Sequence, residues 1–312
     1  MVSFPMPYSF FTQLPIAKAD FLCYNTHKDP YFPTTNEAYM IQKQNLHIHS
    51  TWCDGADTPE EMIAAAMEKG FDSIGFSGHS PMAYSPGHAM SPEGTELYKQ
   101  EIRTLQKKYA GQIEIFCGLE VDMYSEVDLT GYDYLIGSVH YFRFPDTTVG
   151  FDRSQAEVQR VIDQRFGGDG MAYARAYYES MTWLPRFGNF DIIGHFDLIT
   201  KHSENCTFFD TESKAYQNLA IEAAEALAGK IPFFEVNTGA ISRGYRTTPY
   251  PAPFLLKELH RLGYGAVISS DCHDKRALEC WYPEAAELLL AHGFREIYVL
   301  TAPGRFEPVS IG

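Results

Sequence analysis

Six of the eleven histidines in this 312-residue chain fall at the ends of short apolar runs. The runs are NLHIH (His47, His49), SIGFSGHS (His79), YLIGSVH (His140), DIIGHFD (His195) and AVISSDCHD (His273). Two more end in carboxylates, FCGLEVD with Glu120 and FFEVN with Glu235. Neutral imidazoles and carboxylates together are the donors that hold divalent cations such as Zn, Mn and Fe. His47 and His49 are two apart on an extended segment, so both side chains project to one side. Asp271 and His273 repeat that spacing near the far end of the chain, and Asp54 lies in the turn Cys53-Asp54-Gly55. Glu120 sits in an apolar run, where a carboxylate is costly unless paired; bridging two cations would satisfy it. Taken singly, His79, His140 and His195 read as hydrogen-bonded structural histidines. Gathered at one mouth, they read as ligands.

The elements that would gather them alternate. After NLHIH comes TPEEMIAAAMEKGF, in which Thr58 and Glu61 have capping-box spacing and Pro59 takes the first helical position. SIGFSGHS, a helix near 96–109, IEIFCGLEVD and DYLIGSVHYF follow, and then an excursion over 141–185 with two helices near 154–165 and 171–184. DIIGHFDLI, a helix within TESKAYQNLAIEAAEALAG, IPFFEVNTG, a helix near 253–262, YGAVISSDCH, a helix near 283–292 and a last short strand EIYVL complete the chain. Such alternation predicts a parallel sheet with helices outside it. The C-terminal mouth of a closed parallel barrel is where such folds assemble their chemistry. Residues 1–43 show no period and are expected to form an N-terminal extension laid over the outside of the domain, with residues 44–312 as that domain.

Composition narrows the function. Hydrophobic content of 45% supports a sizeable core, and a formal charge of −15 argues against a nucleic-acid backbone as partner. A small phosphorylated substrate remains compatible, its charge met locally by metals and a few arginines. The six cysteines are scattered without a C-x-x-C pair, which favours reduced thiols. Cys53 and Cys272 flank proposed ligands and are expected to pack against the site wall. No run approaches a membrane span and the start lacks a signal pattern, so the expectation is a soluble, cytoplasmic protein with no membrane partner. Oligomeric state is left open.

The stretches HIHSTWCDG, SGHS, GLEVD, GSVH, GHFDL, EVNTGA and SSDCHD, in that order, resemble the polymerase and histidinol phosphatase (PHP) phosphoesterases. The resemblance implies a distorted seven-stranded (β/α)7 TIM-like barrel with two to three divalent metal ions. Carried over by position, it puts His47, His49, Glu120 and Asp271 on one ion. Glu120 would bridge to a second ion held by His140 and His195, with Asp54, His79 and His273 on a third. In some relatives a histidine adjacent to the Asp54 position serves there; here the neighbour is Gly55. GSVHYF, the insert with YARAYYESM, GHFDLITKH and EVNTGAISRGYRTTPYP look like the histidinol-phosphatase branch, which implies hydrolysis of L-histidinol phosphate.

Metals a few ångströms apart lower the pKa of a shared water and bind phosphoryl oxygens. The leaving alkoxide needs a proton, which Asp197 could supply beside His195; support of that histidine from behind is its other reading. Arg243 and Arg246, with Ser242, are the expected substrate-binding residues, and Lys201 a weaker one. Glu235 and Asn237 are expected to contact substrate or ligands. Hydrolysis of another small phosphate ester, and a non-catalytic metal-binding scaffold, are the competing readings.

Overall fold

The computed structural model describes residues 42–85 and 87–312. The expected extension over 1–43 therefore lies outside the described residues, apart from Gln42 and Lys43. From Gln44 the chain runs β1 (Gln44–Asn45), α1 (Pro59–Glu68), β2 (Ser73–Phe76), α2 (Pro92–Lys108), β3 (Glu114–Asp122) and β4 (Tyr134–Ser138). An excursion follows: β5 (Tyr141–Arg143), β6 (Thr148–Gly150), α3 (Gln155–Phe166) and α4 (Gly170–Met181). Then come β7 (Ile192–Ile193), α5 (Lys214–Leu227), β8 (Phe233–Asn237), α6 (Gly239–Ser242), α7 (Pro253–Arg261), β9 (Gly265–Ser269), α8 (Tyr282–Ala291), β10 (Glu296–Ala302) and β11 (Arg305–Ser310).

Seven strands form one sheet in the order β1-β2-β3-β4-β7-β8-β9, with every neighbouring pair parallel. A single parallel bridge between Ile48 and Cys272 brings the first strand's continuation against the last, with His49 N donating to Cys272 O at 3.0 Å. The result is a nearly closed α/β barrel of seven parallel strands: the parallel pairing is what the alternation predicted, and the seven-stranded barrel is what the resemblance implied. Local signals set the helices. Thr58 and Ser154 each close a capping box, with Glu61 and Glu157, and Ser213 caps α5 through Tyr216 N. Helix α2 starts four residues before the predicted point, because Ser91 caps it and Pro92 takes its first position.

Strand alternation divides the barrel into an outer and an inner surface. Ile115, Cys117, Leu119 and Val121 of β3 face the helices, within the main core. Phe116, together with Leu46, Tyr134, Ile136, Ile192 and Val267, fills the lower interior. Two sequence expectations are revised here. The NLHIH run is not one continuous strand: Asn45, next to Gln44, pairs with Ile74, Ile48 makes the isolated bridge to Cys272, and the His47 amide between them bonds the Asn45 side chain at 3.1 Å. Leu46 and His47, adjacent in sequence, then both serve the interior, which a regular pleat forbids. EIYVL forms the expected last strand, and the revision lies in its partner: it stays outside the parallel sheet and pairs antiparallel with β11. That hairpin closes the barrel floor, where the Leu300 N–H donates to Gln44 Oε1 at 2.7 Å and the Leu300 carbonyl accepts from Gln44 Nε2 at 2.9 Å. The β11 sequence RFEPVS carries Pro308 and offers no alternation strong enough to be found in advance.

Tyr134 is the widest floor residue. Its ring lies across Gly75 and Gly118, and its hydroxyl donates to Leu46 O. A Cβ at Gly118 would stand 2.2 Å from Tyr134 Cζ. Gly118→Ala is therefore expected to destabilise the fold by about 1–3 kcal/mol through overpacking. Equilibrium denaturant titration measures this; an unchanged midpoint would show that the ring has room to move.

Candidate metal centre

Above the apolar floor the inward positions turn polar. Glu120 lies two residues above Gly118 on β3, and Glu235 stands on β8. His140 follows β4, His195 follows β7, and Asp271 and His273 follow β9. His79 follows β2 and bridges to Glu120 in register, while Asp54 sits in the turn beyond His49. Every residue expected as a ligand converges on this one mouth.

Glu120 is its centre. One oxygen, Oε2, lies 3.4 Å from His47 Nε2, 3.6 Å from His49 Nε2 and 2.8 Å from His79 Nδ1. The other, Oε1, lies 3.2 Å from His140 Nε2 and 2.9 Å from His195 Nε2. Asp271 Oδ1 completes the first set at 3.6 Å from His47 Nε2 and 3.1 Å from His49 Nε2. Donors about 2.1 Å from a shared tetrahedral ion stand about 3.4 Å apart, the spacing of this set. The two imidazoles of the second set are 3.1 Å apart at their Nε2 atoms, a triangle with Glu120 Oε1. A third set forms around Asp54 Oδ1, at 3.3 Å from His273 Nε2, 3.8 Å from His79 Nε2 and 3.6 Å from His49 Nδ1. Asp54 thus reaches the mouth without a histidine at position 55. His79 stands between two sets, one nitrogen toward Glu120 and one toward Asp54.

Four of these atoms, His47 Nε2, His49 Nε2, Asp54 Oδ1 and Glu120 Oε2, are buried without a hydrogen-bond partner. Buried polar atoms are otherwise almost always satisfied. Oxygen and nitrogen donors left open at cation spacing fit divalent metals.

Supporting residues orient the ligands. Glu235, fully buried, accepts from His47 Nδ1 at 2.9 Å, the His195 amide at 2.7 Å, Asn237 Nδ2 at 2.7 Å and Ser269 Oγ at 2.5 Å. Glu235 thereby holds a proton on Nδ1, so Nε2 is the nitrogen turned toward Glu120 and Asp271 and the one a cation would take in place of the second proton. Asp122 accepts from the His140 amide and from the Tyr84 hydroxyl. Arg243 donates to Asp271 O at 2.7 Å and Asp271 Oδ2 at 3.0 Å, with His273 Nδ1 at 3.0 Å. These bonds hold Asp271 at φ 45°, a region few residues other than glycine, asparagine and aspartate occupy.

The same contacts set the charges. Burial pushes the Glu120 carboxyl up, but His47, His79 and His140 outweigh it and hold the group well below the carboxylate range. Burial likewise opposes Asp271, where Arg243 and His47 prevail and keep it ionised. His47 is desolvated, yet Glu235, Glu120 and Asp271 raise it well above an ordinary histidine. His49, buried and crowded by His273 and His79, is pushed down to about 3 and stays neutral. Burial raises the Cys53 thiol to about 11 and the Cys272 thiol to about 12, consistent with wall packing rather than a thiolate ligand.

A cavity of about 410 Å³ opens over the cluster, and His195, Lys201 and Arg243 line it as expected. Other expected residues are placed elsewhere. Asp197 is fully buried off the cavity wall, where Oδ2 accepts from the Ala252 amide at 3.0 Å; it ties down the loop after β8 instead of reaching a leaving group. Arg246 is buried on Thr200 O, at 3.1 Å, and over the Tyr250 ring. Ser242 turns its hydroxyl back to Gly239 O within α6. The sequence reading did not single out Asp152, Arg153 and Tyr141, which the excursion after β4 brings to the cavity. Asp152 and Arg153 are signalled in the sequence only as a charged pair in a polar loop, and Tyr141 only by following His140 in GSVHYF.

Among the described residues no helix is long and apolar enough to cross a membrane. The PHP domain model matches residues 45–239. A Deinococcus radiodurans protein named "Probable histidinol-phosphatase" is 29% identical over 265 residues, which cover 80% of this chain and 94% of its own. Histidinol-phosphatase of Bacillus subtilis is 27% identical over 255 residues, 75% of this chain and 94% of its own. The histidinol phosphate phosphatase of Lactococcus lactis, solved with Zn, L-histidinol and phosphate, shares the fold with a TM-score of 0.59 at 23% identity. It covers 85% of this chain and 99% of that one. The ordered ligand motifs, the barrel that gathers them and the matched domain place this chain in the PHP domain family.

Proposed function

We propose that the protein is a divalent-metal-dependent phosphomonoesterase that hydrolyses L-histidinol phosphate to L-histidinol and phosphate, a reaction of histidine biosynthesis. The observation that carries the chemistry is the division of the Glu120 carboxylate between two donor sets at the floor of a cavity whose wall carries Arg243 and Lys201. The relatives' shared name carries the substrate.

His47, His49, Glu120 and Asp271 would hold one ion, Glu120, His140 and His195 a second, and Asp54, His79 and His273 a third. When bound, divalent cations in such a donor set offset phosphoryl charge and bring the pKa of a water toward neutrality. Arg243 would do two things: its two nitrogens fix Asp271 and His273, and its charge faces the incoming phosphate. Lys201 adds a second positive charge on the same wall. Glu235 keeps His47 in the tautomer that presents Nε2. Imidazole and carboxylate donors accept Mn, Zn or Fe. Cys53, Cys117 and Cys272, as buried or half-buried thiols, suit the reducing cytoplasm.

Purified protein is expected to release phosphate from L-histidinol phosphate in preference to nucleotide and sugar phosphates, and to lose that activity on chelation and regain it with Mn²⁺ or Zn²⁺. A stronger preference for another ester would reject this substrate; no turnover of any ester with metals bound would reject the enzyme. Arg243→Ala should lower kcat/KM at least about tenfold, the scale of removing one charge-assisted hydrogen bond. Metal affinity of the apoprotein should rise between pH 6 and pH 8. The carboxylates raise His47, His79 and His140, so cations compete there with protons that leave as pH increases. Calorimetry in buffers of different ionisation enthalpy measures the protons released, and binding independent of pH would contradict the ligand assignment.

A further inference from the structure

Two carboxylates on the cavity wall serve neither metal ligation nor phosphate binding: Glu157, which the Ser154 hydroxyl and amide hold in a capping box, and Asp152. Asp152, in the loop between β6 and α3, lines that wall with a side chain 35% exposed. Among the described residues nothing donates a hydrogen bond to its carboxylate. Its nearest cation, Lys201 Nζ, stands 3.7 Å from Oδ2 and is already committed, donating to the Asp152 carbonyl at 2.7 Å and lying 4.4 Å over the Tyr245 ring. The neighbouring Arg153 guanidinium turns away, to Ser85 Oγ and the Tyr141 hydroxyl, both at 3.1 Å. Burial pushes the Asp152 carboxyl up, but Lys201, His140 and Arg153 outweigh it, so the group is ionised at neutral pH.

A carboxylate in a phosphate-binding cavity repels the phosphate, unless the other end of the substrate needs it. Asp152 also lines a second hollow, of about 500 Å³, which continues outward past Lys201 and Tyr245. It therefore stands at the junction between the metal cluster and the outer space. An ester with its phosphoryl group at the cluster would pass its alcohol portion by Asp152 on the way out.

Resting on the proposed phosphatase reading, we propose that Asp152 anchors a substrate ammonium group, so that the site selects phosphate esters of amino alcohols. The ammonium would donate to the open carboxylate oxygens, and the remainder of the alcohol would extend toward Tyr245. Asp152 is then a specificity-determining residue, distinct from the ligands and from Arg243.

The test compares kcat/KM of the metal-loaded enzyme for L-histidinol phosphate and for its deaminated analogue, 3-(imidazol-4-yl)propyl phosphate. In Asp152→Asn the preference for the amine-bearing ester should fall about tenfold, the scale of a hydrogen bond between charged groups. Asp152→Glu should keep part of it, and thermal melts should match the parent protein. A preference ratio that does not move overturns the proposal, including the case in which both esters lose equally because Asp152 acts only through Lys201. Should the parent enzyme ignore L-histidinol phosphate but hydrolyse other esters, the substrate reading fails separately. The Asp152 assignment is then decided by the same ratio for phosphoethanolamine against ethyl phosphate.

Discussion

The rest of this structure depends on a buried negative charge. Glu120 is 1% exposed and touches five imidazoles, drawn from the ends of four other strands. A carboxylate so placed would be prohibitively costly alone, and its burial is tolerable only because compensating groups surround it. Each of those histidines must in turn be held by its own strand at the right height. The barrel is the device that satisfies this: parallel strands bring their C-terminal ends to one mouth, and closure between Ile48 and Cys272 places the first and last ligand pairs side by side.

The interior is accordingly layered. The floor is a packed apolar plug of Leu46, Phe116, Tyr134, Ile136, Ile192 and Val267, sealed from below by the β10–β11 hairpin. The mouth gathers the histidines and carboxylates of the ligand cluster. Glu235 joins the layers' edge to the ligands, its oxygens bonded to groups on four chain segments. Such fully satisfied networks stiffen a site, since no member can move without stranding a buried donor or acceptor. The glycines Gly75, Gly118 and Gly194 matter here because Tyr134 and Ser138 occupy the space a side chain would need.

Much of this was legible along the chain. The capping box at Thr58, the strand–helix alternation and the i, i+2 pairs His47/His49 and Asp271/His273 are local patterns, and local patterns survive folding. What misled was equally local. Arg246 and Asp197 stand beside ligand motifs in sequence, but backbone direction after a strand end is set by the loop's own packing. Both side chains turn inward to Thr200 and Ala252. The β11 strand was invisible because an exposed edge hairpin needs little apolar alternation to pair.

The sequence by itself determined the donor types, their order, and the fold that could gather them. Residue chemistry and strand periodicity are properties of short segments. Only the tertiary structure decided that the two Glu120 oxygens face different imidazoles, that Asp54 closes a third set, and that Glu235 supports His47 instead of binding beside it. It alone brought Asp152 from a polar loop to the cavity wall. These depend on distances between residues far apart in the chain, such as His47 and Glu235 at a separation of 188 positions, and barrel closure sets those distances.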